Sequence, residues 1–318
     1  MANHCTLLSR SYHERKELLL EVRNSNLNAL FNSYRFNDII DEFIKDVEER
    51  EVAIPDDEQD ELLGTMLGSA GQACAFLGRT DTSWSEMASD YLQRSIRHFE
   101  AGTIYHAMSV NYLATLAWQT GDPNAACHEL SRNPALPDLA GTDDLVDRFA
   151  AVCLADGVSA FDLVNLLRIA GDATTVGAGP GQGNITTVIS EWEKRYVDEH
   201  PFEQVAKWFG VLLIPHDPNA ALNWLARGLR TSDSLGFTVQ TIALSILGLQ
   251  AVVHFNNGQS EQGTATVDKL RERVDSLSAD APHFARYIDT IGGIKCLTDD
   301  LDNRKIAAIC RWLPFAYA

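Results

Sequence analysis

An all-α fold, arranged as a stack of antiparallel helical hairpins, is predicted by three features of this chain. Apolar residues recur at i, i+3, i+4 and i+7 along most of its length, and the alternating Val/Ile/Thr runs that mark strands do not appear. The apolar-periodic segments are joined by short turns, the pattern of antiparallel neighbours. The pentapeptide Asp-Pro-Asn-Ala-Ala occurs twice, at Asp122–Ala126 and Asp217–Ala221. In each copy Asp has the chemistry of an N-cap and Pro, with φ already set and no N–H to lose, suits the first helical position. Each copy also places a small alanine (Ala126, Ala221) four residues before a leucine (Leu130, Leu225), which suggests a repeated packing unit.

The elements follow in order. Two N-terminal helices fit residues 7–24 and 29–49 and are followed by a turn around Pro55. Helices are then expected over 60–78, 84–100 and 105–121, with another opened by Asp122. The segment 171–184, "GDATTVGAGPGQGN", is rich in glycine and reads as a non-helical break between helical sequence at 158–170 and at 185–210. It is taken as the boundary between an N-terminal lobe, 1–170, and a C-terminal lobe, 185–318, and as a flexible linker in preference to a functional loop. The stretch 237–255, "FTVQTIALSILGLQAVVHF", is long enough to span a bilayer but carries Gln240, Thr241, Ser245 and Gln250, so it reads as a buried helix.

Composition narrows the function. With 318 residues, 45% apolar and 22% charged, the chain has the make-up of a folded globular protein. A net charge of −18 argues against direct binding of nucleic acid, which needs clustered Lys and Arg, and favours a partner of basic character. The acid is concentrated in 41–61, read as a solvated helix end and linker or as a docking patch for a basic ligand. The N-terminus becomes charged before any long apolar run develops, unlike a signal peptide. Cys5, Cys74, Cys127, Cys153, Cys296 and Cys310 lack CxxC spacing and read as buried free thiols in a reducing cytoplasm.

In "NYLATLAWQTGDPNAACHEL", Ala114, Gly121, Ala126 and Leu130 fall at the spacings of a tetratricopeptide repeat. Ala251, Gly258, Gly263, Val267 and Leu270 make a second match, with Gly263 where that family usually has alanine, and Gly71, Gly78 and Ala88 make a third with a longer turn. The unit around Ala221 keeps the second helix but has His216 where glycine is expected. The chain therefore resembles the tetratricopeptide-like helical repeats over about half its length. It departs from them in irregular spacing, in the scarcity of the proline that ends the second helix, and in its first two helices. The resemblance implies a right-handed α-solenoid in which small residues let helices approach, glycine ends the first helix in the left-handed conformation and a large apolar residue fills the gap to the next hairpin. It also implies a concave groove lined by Asn111, Thr115, Trp118 and Gln119, and by Gly248, Val252, Phe255 and Asn256 in the later repeat. There the asparagines would bond a peptide backbone and the aromatics would take an apolar side chain. Trp118 and Phe255 also fit a purely core role, like the other aromatics.

Enzymatic signatures are sparse. The glycine-rich segment lacks the Gly-Lys-Ser/Thr ending of a P-loop and a preceding strand. There is no HExxH, and Cys127, His128 and Glu129 are consecutive on a helix and so point in different directions, which gives no metal site. No Gly-x-Ser-x-Gly elbow occurs. Arg195 and His200 in "RYVDEH" resemble the Arg-x4-His motif of helical ribonucleases of the HEPN kind, but Tyr196 follows the arginine where Asn, Asp or His is usual. The expectation is a non-enzymatic cytoplasmic scaffold without cofactor or membrane segment, holding a protein or peptide, with the ribonuclease and a peptide-sensing regulator as alternatives and with the further option that the chain is the interaction part of a larger protein.

Overall fold

A computed structural model describes residues 59–78, 81–136, 142–195, 202–234 and 240–280, with Leu139 and a few positions between 30 and 50. Among these the only regular structure is α-helix, as the apolar periodicity requires. The helices expected over 7–24, and most of the one over 29–49, lie outside the described residues. Residues 36–41 are helical, and Phe36 and Ile39 are buried. The chain divides into two compact units, one ending at Glu100 and one beginning at Ala101.

In the first unit α1 (Glu61–Leu77) and α2 (Ser83–Arg97) form an antiparallel pair. Asp60 starts α1 by accepting from the Leu63 amide at 3.0 Å and also takes the Arg50 guanidinium, with Nε at 2.7 Å. Helix α1 is buried almost all round, whereas α2 buries only the stripe of Ala88, Tyr91, Leu92, Ser95 and Ile96. The register is written in small residues. Gly64 faces His98 and Phe99, Gly68 faces Ser95 and Gly71 faces Leu92, so one helix descends as the other climbs. A Cβ on Gly71 would sit 2.7 Å from Leu92 Cγ, and the closeness also lets Ser95 Oγ donate to the Gly64 carbonyl at 2.7 Å. Phe36 stacks on Phe76 with ring centroids 4.6 Å apart.

The second unit contains α3 (Ile104–Gln119), α4 (Pro123–Leu130), the short α5 (Thr142–Asp147) and α6 (Phe149–Cys153), α7 (Ala160–Thr175), α8 (Gln182–Arg195), α9 (Phe202–Leu213), α10 (Pro218–Ser234), α11 (Gln240–Asn256) and α12 (Ser260–Asp280). Both pentapeptides act as expected. Asp122 accepts from the Ala125 amide at 2.8 Å and Asp217 from the Ala220 amide at 2.9 Å, with Pro123 and Pro218 opening α4 and α10. Ala126, Leu130, Ala221 and Leu225 are all buried. Neighbours along the chain pack together: α3 on α4, α9 on α10, α10 on α11 and α11 on α12. Gly210 against Leu225 and Gly228 against Ala206 give α9 and α10 an antiparallel register. Helix α7 packs on both α3 and α9.

Three expectations are corrected. The segment 171–184, which lies inside the second compact unit, is expected from its glycines to be a non-helical break. Most of it is helical: α7 runs on to Thr175 and α8 starts at Gln182, leaving only 176–181 between them. Gly171 is helical because its missing side chain makes room for the Trp208 ring, which a Cβ would meet at 2.7 Å. Residues 185–210 carry parts of two helices, α8 and α9, not one; residues 196–201 between them are outside the described set. Gly121 and Gly258 end their helices with φ of +87° and +72°, as expected, but Gly78 has an ordinary φ of −58° and is small because Ser85 lies against it. Helix α11 is buried from Ile242 to Val253 except at the half-buried Gln250, and no described helix is long and apolar enough to cross a membrane.

Replacing Gly71 by Ala should therefore overpack the α1–α2 seam. The expected loss is about 1–3 kcal/mol in the first unit, read as a lower denaturation midpoint by circular dichroism with helix content retained.

Candidate functional site

The face expected to line a groove is covered. Asn111, Thr115 and Trp118 on α3 are buried, Trp118 to 1% exposure, because α7 lies across them. Helix α7 begins with a capping box, in which Ser159 and Asp162 satisfy each other's backbone amides. The same Asp162, fully buried, accepts from Asn111 Nδ2 at 2.7 Å and from Asn133 Nδ2 at 3.0 Å. One turn on, Asn165 Oδ1 accepts from Thr115 Oγ1 at 3.0 Å and from Arg168 Nη1 at 2.9 Å, while its amide donates to Asn111 Oδ1. Arg168 also donates to Thr115 and, through Nη2 at 2.9 Å, to Gln204 on α9. Its guanidinium lies 5.8 Å from the Trp118 ring centroid, and Trp118 meets Trp208 edge-on at 5.7 Å. Asn111, Thr115 and Trp118 thus belong to the interior polar seam of the unit and not to an open surface. Gln119 is half-buried beside them.

The interior holds further charge. Burial lowers the Arg168 pKa, yet its ordinary value is so high that the group stays charged at neutral pH. Lys207 is buried with its ammonium 4.7 Å from the Trp208 ring centroid. Glu203 is fully buried with no hydrogen-bond partner for either carboxylate oxygen, and desolvation raises its pKa to about 7. Around the α8, α9 and α10 contact, Trp192, Phe209 and Trp224 pack as edge-on aromatics with centroids 5.1–6.2 Å apart.

The open site lies elsewhere in the second unit. A cleft of about 360 Å³ is formed where α7, α9 and α11 end and α10 begins. Helix α7 supplies Thr174 and Thr175, with Gly177 following; α9 supplies Val211 and its exit turn Ile214 and Pro215; α11 supplies Val253, Asn256 and, just after it, Asn257. Pro218 of the second pentapeptide closes one side. The size is at the lower end of small-ligand sites. Of the residues expected to bind a partner, only Asn256 lines this cleft. Phe255 is half-buried and turned to α12, where its ring occupies the space a Cβ on Gly263 would need. Thr174, Val211, Ile214, Val253 and Asn257 were not singled out from the sequence. The signals present were indirect: Gly177 and Gly258, with positive φ, and the second pentapeptide mark helix ends that meet at one side of the unit.

The other candidates resolve as follows. Arg195 is exposed and donates to the Leu154 carbonyl at 3.1 Å; its proposed partner His200 lies outside the described residues. Cys74, Cys127 and Cys153 are free and buried, and desolvation raises all three thiols, Cys74 to about 12 and Cys127 to about 11, so they are poor nucleophiles. Among the described residues no cluster of His, Cys, Asp or Glu is arranged to hold a metal. Of the acidic stretch 41–61, Asp60 is occupied in capping α1, and most of the remainder lies outside the described residues. No family model matches the chain, and no curated protein or solved structure was found to match it.

Two outcomes follow from these placements. Trp118→Ala should cost about 3–5 kcal/mol of unfolding free energy and Asn111→Ala about 1–3 kcal/mol, measured by urea denaturation, as befits interior residues. Glu203 has a folded pKa above its ordinary 4.5, so the stability linked to its protonation is complete below pH 4.5 and is lost as pH rises through about 7. Glu203→Gln should accordingly match the parent protein near pH 4.5 and exceed it at pH 8 by on the order of 3 kcal/mol, compared by denaturation at the two pH values.

Proposed function

We propose that this chain is a non-enzymatic, protein- or peptide-binding scaffold, built as a right-handed tetratricopeptide-like solenoid of helical hairpins. It binds through the cleft at the ends of α7, α9 and α11 and not through the α3 face. The observation that carries this reading is that cleft: a concave, mainly apolar hollow bordered by the exposed amides of Asn256 and Asn257, made where successive helices meet. Its support in the packing is the succession of neighbouring antiparallel helices from α9 to α12, an arrangement in which each hairpin touches chiefly its neighbours and leaves the joints between them open to a ligand.

Within this reading the buried α3–α7 seam stiffens the scaffold. Polar residues there are consumed in fixing how α7 lies against α3 and α9 and take no part in binding. Asn256 and Asn257, both exposed, are the residues available to bond a peptide backbone.

Peptide selection against the full chain tests the proposal. Selected peptides should bind the parent and an Ala151→Lys control, Ala151 being exposed and outside the cleft, and should lose about tenfold or more in affinity for Asn256→Lys. Peptides that bind all three equally would place recognition elsewhere and overturn the cleft as the site.

A further inference from the structure

We infer that the cleft takes a lysine side chain presented by an apolar peptide. This rests on the peptide-binding reading above and names what the site recognises.

Acceptor oxygens gather at the border of the cleft. Thr174 Oγ1 already donates to the Ala170 carbonyl at 2.8 Å and Thr175 Oγ1 to the Asp172 carbonyl at 2.7 Å. Each hydroxyl proton is thereby spent inside α7, and what remains for a ligand is the oxygen's acceptor capacity. The Asn256 and Asn257 amides add a carbonyl oxygen each for a cation, while their N–H groups are left to bond the carbonyls of the peptide that presents it. No Lys, Arg or His lines the cleft.

The electrostatic field at the cleft favours a cation. Three helices, α7, α9 and α11, reach the cleft by their C-terminal ends, where the macrodipole is negative. The single N-terminus there, that of α10, has its first turn covered by the Asp217 carboxylate, so its positive end is offset by a formal negative charge. The chain as a whole carries −18. An anion would meet unfavourable potential from each of these sources, and a cation favourable potential.

The shape of the cleft suits the same ligand. Val211, Ile214, Pro218 and Val253 give the hollow an apolar wall. A lysine has four methylenes to lay on such a wall and a compact ammonium with three donors to reach the acceptors at its border. Just outside, Val176 stands between Thr175 and Gly177 at 79% exposure and offers an apolar contact to the residue next along the peptide.

The test uses two fluorescein-labelled pools of nonapeptides, one with lysine fixed at the centre and one with norleucine there, the flanking positions drawn from Ala, Val, Leu, Ser, Thr and Gly. Binding is followed by fluorescence anisotropy at 0.15 M salt on the full chain, on Asn256→Lys and on Ala151→Lys, each checked for helix content and melting temperature. The expected result is binding about tenfold or more tighter for the lysine pool, with that preference lost in Asn256→Lys and kept in Ala151→Lys. Equal binding of both pools that Asn256→Lys abolishes would overturn the lysine assignment while leaving the cleft a peptide site. A lysine preference that Asn256→Lys leaves intact would overturn it by locating the charge recognition elsewhere. Binding of neither pool would overturn both the assignment and the peptide-binding reading.

Discussion

The second unit is organised around the burial of Arg168. A guanidinium in the interior is tolerable only when its donors are matched, since an unpaired buried charge costs several kcal/mol. Here partners for its two terminal nitrogens come from three helices: Thr115 on α3, Asn165 on α7 itself and Gln204 on α9. Any slip of α3 or α9 along α7 would break a charge-assisted bond inside the unit. The register of the three helices is therefore fixed by polar geometry, where apolar packing alone would accept neighbouring alternatives. Asp162 extends the constraint by tying the start of α7 to Asn111 and to the turn at Asn133.

That constraint also locates the cleft. Once α7 is held against α3 and α9, its C-terminal turn is brought beside the ends of α9 and α11, and Gly171 lets it lie close enough to receive the Trp208 ring. The rigid seam and the open hollow are thus the two ends of one helix. The N-terminal half of α7 is spent on internal bonds, and its last turn faces the space where a ligand would sit. A small, preformed hollow on fixed helix ends loses little freedom when a ligand fills it, which is the condition under which a few polar groups suffice for recognition.

Glu203 is the acidic member of a set of buried side chains with polar atoms left without a hydrogen-bond partner, a set that also includes the indole nitrogens of Trp192 and Trp208. Its neighbour one turn on, Lys207, spends its ammonium on the Trp208 face, and the carboxyl is left to carry its own desolvation. At the same residue the backbone carbonyl is met closely by Gly228 of α10. Ionised, the carboxyl carries the full cost of its burial.

The sequence by itself determined the helical class and most helix starts. Capping is local chemistry: Asp122-Pro123 and Asp217-Pro218 bond amides within their own first turn, so reading five residues was enough. The left-handed glycines at 121 and 258 are legible for the same reason. What only the tertiary structure decided was which faces are covered. Asn111, Thr115 and Trp118 look alike in sequence whether they face water or another polar helix, because their partners Asp162, Asn165 and Arg168 lie some fifty residues away. Glycine showed the same ambiguity, since Gly171 reads as a breaker until Trp208 is seen to fill its place. The cleft was hidden more thoroughly. It joins the last turn of α7 to segments as distant as Asn257, each unremarkable alone, and burial and concavity are properties of the packed helices and not of any one stretch of chain.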